Sequence, residues 1–285
     1  MQLLLGLLFT IVSFLSGFLL AGGAAGSLWQ PFELLMLGGA GLSFFVAGNS
    51  MGTIKKVGTY FKYVFKSPYN EQKFSAVISV MFLLAKSYNN NSLEATEHVE
   101  KPDASNIFQK YPEVLEDDSL RNFICDNFLL FSDNQRDLTP FSFEEYLENE
   151  IEKYGQEAQT PYKAMSAMVE TYPALGICAA VLGIILSMGY LDADAMELGH
   201  HIGAALFGTF FGIFLAYGVF KPISLKFAKI VEESVLVMTL PKTFLVSLMK
   251  GYEPLLAAAI ANKNVPPRYR IPDHSLKKNL MSEKV

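Results

Sequence analysis

Polar and apolar residues are segregated into blocks along this chain. No charged side chain precedes Glu33, and none occurs from Leu34 to Ile54. Two more uncharged runs extend from Thr171 to Leu191 and from Ile202 to Phe220. A helix needs about 20 apolar residues to cross a bilayer core. The first 54 residues hold two such lengths, split by the turn-rich Ala21-Gly22-Gly23-Ala24-Ala25-Gly26-Ser27. Asp192, Asp194 and Glu197 separate the other two. The pattern predicts transmembrane helices near 1–21, 32–49, 171–191 and 202–221. The apolar run Phe74–Ala85 is too short to span, which leaves a helix buried in protein or one lying at the membrane surface.

Between the second and third runs, residues 55–165 are predicted helical, with turn signals at Ser67-Pro68, Lys101-Pro102, Tyr111-Pro112 and Thr139-Pro140. Phe227, Ile230, Val231, Val235 and Met238 keep helical spacing, so the fourth span is expected to continue as far as Pro241. From Asn262 on, three prolines and a basic composition (Lys263, Arg268, Arg270, Lys277, Lys278) suggest a loosely ordered stretch near anionic lipid headgroups. The predicted fold is an all-α integral membrane protein. Its expected parts are a transmembrane hairpin (1–50), a cytoplasmic helical domain (51–170), a second hairpin (171–222) and a cytoplasmic helix with a basic end (223–285).

Charge placement orients this arrangement. All 23 Lys and Arg lie between Lys55 and Lys163 or between Lys221 and Lys284. The positive-inside rule then puts both termini and the 50–170 segment in the cytoplasm. A cleaved signal peptide over 1–26 is the alternative for the first run, but no base precedes it and it is long for such a segment. Composition narrows the class further. The 285 residues are 51% hydrophobic and 18% charged, which excludes a disordered or collagen-like chain. Two cysteines make no disulfide framework, and a net charge of −5 gives no expectation of nucleic acid.

Ala179, Gly183 and Ser187 line one face of the third span, and Gly208, Gly212 and Ala216 one face of the fourth. Such stripes allow close helix packing. Thr209 and Tyr217, eight residues apart, are expected to share a face. The Thr209 hydroxyl either bonds back to its own helix or lines an ion path. Pro173 and Pro222 frame this hairpin as hinges, or Pro222 as a stop. No Asp, Glu, Lys, Arg or His lies deep in any span, so a second subunit must supply the carboxylate of any ion pathway. Glu33, beside Pro31 at a helix start, is read as an interfacial cap. His200 and His201 are adjacent, point to different helix faces and have no Cys or Asp cluster, so no metal is expected. The acidic stretch Glu113–Glu157 is either a set of solvated helix faces or a surface that meets a partner.

These residues resemble the A subunits of bacterial flagellar stators in the MotA/TolQ/ExbB proton-channel family. The resemblance is carried by Gln30-Pro31-Phe32-Glu33-Leu34, the Gly-Gly-Ala-Gly at 38–41 and Ala47-Gly48-Asn49. It continues through the run from Tyr172 to Gly183, Glu197-Leu198-Gly199, the run from Gly208 to Gly218, and Pro222. It implies an inner-membrane ring, a pentamer of A subunits around two copies of a single-span B subunit that brings a membrane aspartate. It also implies torque on the rotor switch ring, Thr209 as the pore hydroxyl, and Pro173 and Pro222 as conformational couplers. Sodium-driven relatives carry a second hydroxyl where Ala180 stands. A methyl offers no oxygen ligand, so H+ is expected over Na+, with no other cofactor. The family's rotor-facing Arg is missing from Tyr88-Asn89-Asn90-Asn91, and the nearest base is Lys86. Glu94, with Glu97 as its rival, and Glu150 match acidic family positions.

Other classes fit less well. ExbB- or TolQ-like energisers of outer-membrane processes have three spans and an outside N-terminus. A secondary transporter would show a broken helix or a buried mid-membrane charge. The chain carries no phosphate loop, His-Glu-x-x-His or nucleophile motif, so no enzyme activity is expected.

Overall fold

A computed structural model describes residues 2–133, 138–192 and 194–283. In chain order the helices are α1 (Gln2–Leu20), α2 (Pro31–Gly48), α3 (Met51–Phe65), α4 (Glu71–Asn90), α5 (Ser92–Glu100), α6 (Asn106–Gln109) and α7 (Pro112–Leu115). They continue with α8 (Asp118–Asp133), α9 (Pro140–Ala158), α10 (Thr160–Met188), α11 (Ala195–Ile213), α12 (Lys221–Met249), α13 (Pro254–Lys263) and α14 (Asp273–Ser282). No strand occurs among the described residues. A π-helical segment, Phe214–Phe220, joins α11 to α12 without a break. Four helical stretches are long and apolar enough to cross a membrane: Gln2–Leu20, Ala25–Gly48, Thr160–Met188 and the one beginning at Ala195.

The chain divides into two compact units, residues 1–66 with 159–230 and residues 67–158 with 231–285. The expected boundaries at 50, 170 and 222 mark where the apolar runs end. The units divide elsewhere because α3, α10 and α12 extend well beyond those runs.

In the first unit α10 and α11 pack antiparallel along glycines. A Cβ on Gly176 would lie 2.9 Å from the Gly208 carbonyl oxygen. One on Gly212 would lie 2.7 Å from the Tyr172 oxygen, and one on Gly183 2.6 Å from the Ala205 Cβ. The two backbones therefore touch, as small residues permit in lipid. Tyr172 stacks on Phe220 at 4.7 Å, and its hydroxyl abuts Gly41 of α2. Toward the cytoplasmic end, Val57, Ala164, Met165, Ile223 and Phe227 form a small core. By contrast, α1 buries none of its residues. An apolar groove of about 930 Å³ lies in this unit, with Phe14 and Phe18 on one side and Phe207, Phe210, Phe211 and Phe214 on the other.

The second unit is built around α4. Phe74, Val77, Val80, Met81, Leu83 and Leu84 have no exposed surface, so the run Phe74–Ala85 is a core helix and not a surface-lying one. Ile107, Phe108, Val114, Leu120, Ile124 and Phe128 are equally buried. Each such side chain contributes about 1.5–3 kcal/mol by leaving water. The predicted turn signals hold: Pro102 opens a 3-10 turn, Pro112 opens α7 and Pro140 opens α9. The helices α9 and α12 lie antiparallel, with Glu148 paired to Lys242 at 2.7 Å and Glu144 to Lys250 at 3.2 Å.

Two expectations are corrected here. Pro241 does not end α12, which runs on to Met249. Val237, Met238, Leu240, Phe244 and Leu245 are buried on both sides of it, and their packing outweighs one missing backbone hydrogen bond. The stretch from Asn262 on is folded. Asn262 is fully buried and donates to the Ile271 carbonyl at 2.7 Å. Val265, Leu276 and Leu280 are buried, and Arg268 pairs with the buried Glu233. The basic composition suggested a solvated segment, yet Lys263, Arg268 and Arg270 each donate to a partner in this packing, while Lys277 and Lys278 stand exposed on α14.

Candidate functional site

The α10–α11 seam holds the residues that the sequence marked for ion handling. Thr209 is half-buried, and its Oγ1 lies 3.5 Å from the Gly176 carbonyl oxygen across the seam. It does not bond back to its own helix, as Ser187 does to Gly183 at 2.8 Å. A contact at 3.5 Å is at the weak limit of hydrogen bonding, so this hydroxyl is free to take another partner. Ala180 is buried at the same seam, with its backbone nitrogen 3.5 Å from where a Gly208 Cβ would sit. Glycines at 176, 208 and 212 are what bring these groups together.

Tyr217 differs from Thr209 in its exposure. It is 61% exposed, whereas Thr209 is half-buried. Tyr217 lies inside the π-helical segment that follows Ile213. Pro222 follows this segment at the second position of α12. Proline has no N–H for the preceding turn, and its ring presses on the carbonyl four residues back, so the turn before it widens instead of breaking. Pro222 is therefore not a helix stop. Pro173 likewise lies inside the continuous α10. Residue spacing alone does not announce the π segment.

Glu33 keeps the helix-start position beside Pro31 that was expected of it, but it is buried. It lies on the buried face of α2 with Leu37 and Gly41, and its Oε2 has no hydrogen-bond partner. It shares the first turn of α2 with Pro31 but sits inside protein and not at an open interface. At the outer start of α11, the His201 ring stacks on Tyr190 at 3.9 Å. Among the described residues no group of His, Cys, Asp and Glu is arranged to hold a metal.

The acidic and basic candidates of the second unit have different surroundings. Glu94 and Glu97 are exposed on α5, three residues apart and on one face. Lys86, near the end of α4, is half-buried and donates from Nζ to the Glu283 carbonyl at 3.0 Å. Glu150 accepts from the buried Asn127 at 2.9 Å and so ties α9 to α8. Beside them, the Lys242 ammonium holds the Glu148 carboxyl below the usual carboxylate range. Burial pushes the Cys125 thiol up to about 12.

Residues 4–92 match the family model for the N-terminal part of motility protein A. Residues 116–239 match the model of the MotA/TolQ/ExbB proton channel family. Motility protein A of Salmonella typhimurium is 33% identical over 93% of this chain and 90% of its own length. This chain belongs to the MotA/TolQ/ExbB proton channel family. Chemotaxis protein LafT of Vibrio parahaemolyticus is also 33% identical, over 93% of both proteins. The fold matches chains of solved MotAB structures. That from C. jejuni gives a TM-score of 0.72 at 20% identity, covering 94% of this chain and 97% of that one. The flagellar stator complex of Bacillus subtilis gives 0.69 at 22%, covering 95% and 98%. Membership of a proton channel family fits a seam that offers one weakly engaged hydroxyl and no deep charge of its own.

Proposed function

We propose that this chain is the A subunit of a bacterial flagellar stator in the inner membrane. In this reading it forms a ring, a pentamer, around two single-span B subunits and turns ion flow into torque on the rotor switch ring. The observation that carries it is the Thr209 hydroxyl on the Gly176 carbonyl at a glycine-packed seam, in spans without a deep carboxylate. Such a seam exposes a hydroxyl and peptide oxygens to a passing ion but supplies no titratable carrier. The aspartate of the B subunit fills that role. A change in its charge alters its contact with α10 and α11, and Pro173 in α10 and Pro222 after the π segment are the positions at which those helices can bend. The ion is H+, because the Ala180 methyl supplies no oxygen ligand to sodium.

Rotation of tethered cells tests this. The chain is expressed with its B partner in a stator-less bacterium, with and without sodium, and a protonophore is then added. The expected outcome is rotation that ignores sodium and stops with the protonophore. Rotation that requires sodium overturns the ion assignment, and a stable complex that never rotates a motor overturns the stator reading. Thr209→Val should slow rotation at high load, and unchanged torque would remove the hydroxyl from the path.

A further inference from the structure

We propose that Glu283, directly after α14, forms a latch that covers Lys86 and sets whether this base is available to a partner. The inference rests on the stator reading, in which Lys86, Glu94 and Glu97 are the candidates for the rotor contact. Two hydrogen bonds converge on Glu283. Its carbonyl accepts from Lys86 Nζ of α4 at 3.0 Å, and its carboxylate accepts from the Tyr111 hydroxyl at 2.5 Å. Burial, and then the bond to Glu283, push the Tyr111 phenol above its ordinary value, so it keeps its proton and donates.

The latch is lightly held. The ten-residue α14 rests on α13, anchored by Leu276 and Leu280 and by the Lys263–Asp273 pair at 2.6 Å. Lys277 and Lys278 are exposed, and Met281 is 66% exposed. A helix this short does not persist alone in water, and an element with so few buried contacts opens more readily than the core.

The acceptor chemistry makes the latch exchangeable. Lys86 meets a neutral carbonyl, and an ammonium binds a carboxylate more strongly. An acidic partner surface can therefore displace Glu283. With the latch closed, the α4–α5 corner presents Glu94 and Glu97, and with it open, Lys86 joins them, so the corner carries both signs of charge. Sequence separates the two ends of this contact by 197 residues.

Lysine reactivity in the purified complex with the B subunit tests the latch directly. Reductive methylation is followed residue by residue by mass spectrometry, with Lys277 and Lys278 as internal standards. Glu283→Ala and Tyr111→Phe are each expected to raise the Lys86 rate about fivefold, the effect of losing one hydrogen bond. A Lys86 rate equal to that of the unaltered chain in both variants overturns the proposal. Rotation is measured in parallel. Glu283→Ala should change stall torque, and adding Lys86→Gln should abolish that change. If Lys86 is freed while torque is indifferent to both substitutions, the regulatory role is overturned. Failure of the unaltered chain to rotate a motor would instead count against the stator reading, and the labelling rates would still decide the latch.

Discussion

In the membrane unit, α10 and α11 meet through Gly176, Gly183, Gly208 and Gly212. In the cytoplasmic unit, α4 meets its neighbours through Phe74, Ile78, Met81 and Leu84. Both are helix-on-helix packings, but their surroundings differ. Lipid tails are as apolar as leucine, so burying a large side chain between spans gains little, and close backbone contact supplies the attraction. Water rewards the opposite choice, because each large apolar side chain withdrawn from it stabilises the fold. Polar groups follow the same division. The seam leaves Thr209 on a long contact at 3.5 Å, whereas the cytoplasmic unit ties its charges into pairs such as Glu233–Arg268 and Lys73–Asp117. Loose polar groups suit a path for ions, and paired ones suit a rigid body that pushes.

The sharpest way to break this comparison is to put a side chain into the seam. Gly212→Val places atoms against the Tyr172 carbonyl, which belongs to the backbone and cannot swing aside. Overpacking of this kind costs about 1–3 kcal/mol or more, and we expect no assembled complex and no swarming. Gly38→Ala, in open space on α2, should leave both intact. Loss of function in both variants would mean that glycine content matters and not the crossing.

Next in size is Phe74→Ala, which empties a site without exposed surface and removes a ring stacked on Tyr269 at 5.5 Å. It should destabilise the cytoplasmic unit by about 3–5 kcal/mol, read as a lower thermal midpoint of the complex. Ile185→Ala, on the 60% exposed face of α10, should leave that midpoint in place. Equal losses would erase the distinction between the two units.

The smallest effect concerns pH. The folded state lowers the Glu148 carboxyl through Lys242. Its contribution is therefore present above the carboxyl's unfolded value and lost as pH falls through the lower folded one. Glu148 is largely exposed, so the effect is modest. Lys242→Met should lower the melting temperature slightly at pH 7 and not at all once Glu148 is protonated in both states. A difference that persists in acid would assign the effect to packing.

The sequence alone determined the spans, their orientation and the site's chemical limits. Blocks without charge and the placement of Lys and Arg depend only on one-dimensional patterning, which the bilayer reads directly. The same holds for Thr209 and the small-residue stripes, because spacing along a helix assigns faces. Tertiary structure decided the rest. The π segment that contains Tyr217 is one such feature, because a widened turn leaves no mark in residue spacing. Burial carried α12 through Pro241 against local propensity. The stretch after Asn262 looked solvated by composition, yet Val265, Leu276 and Leu280 find cover only from helices folded elsewhere in the chain. Lys86 and Glu283 meet for the same reason: contacts between distant residues depend on how helices pack, and local sequence does not encode that.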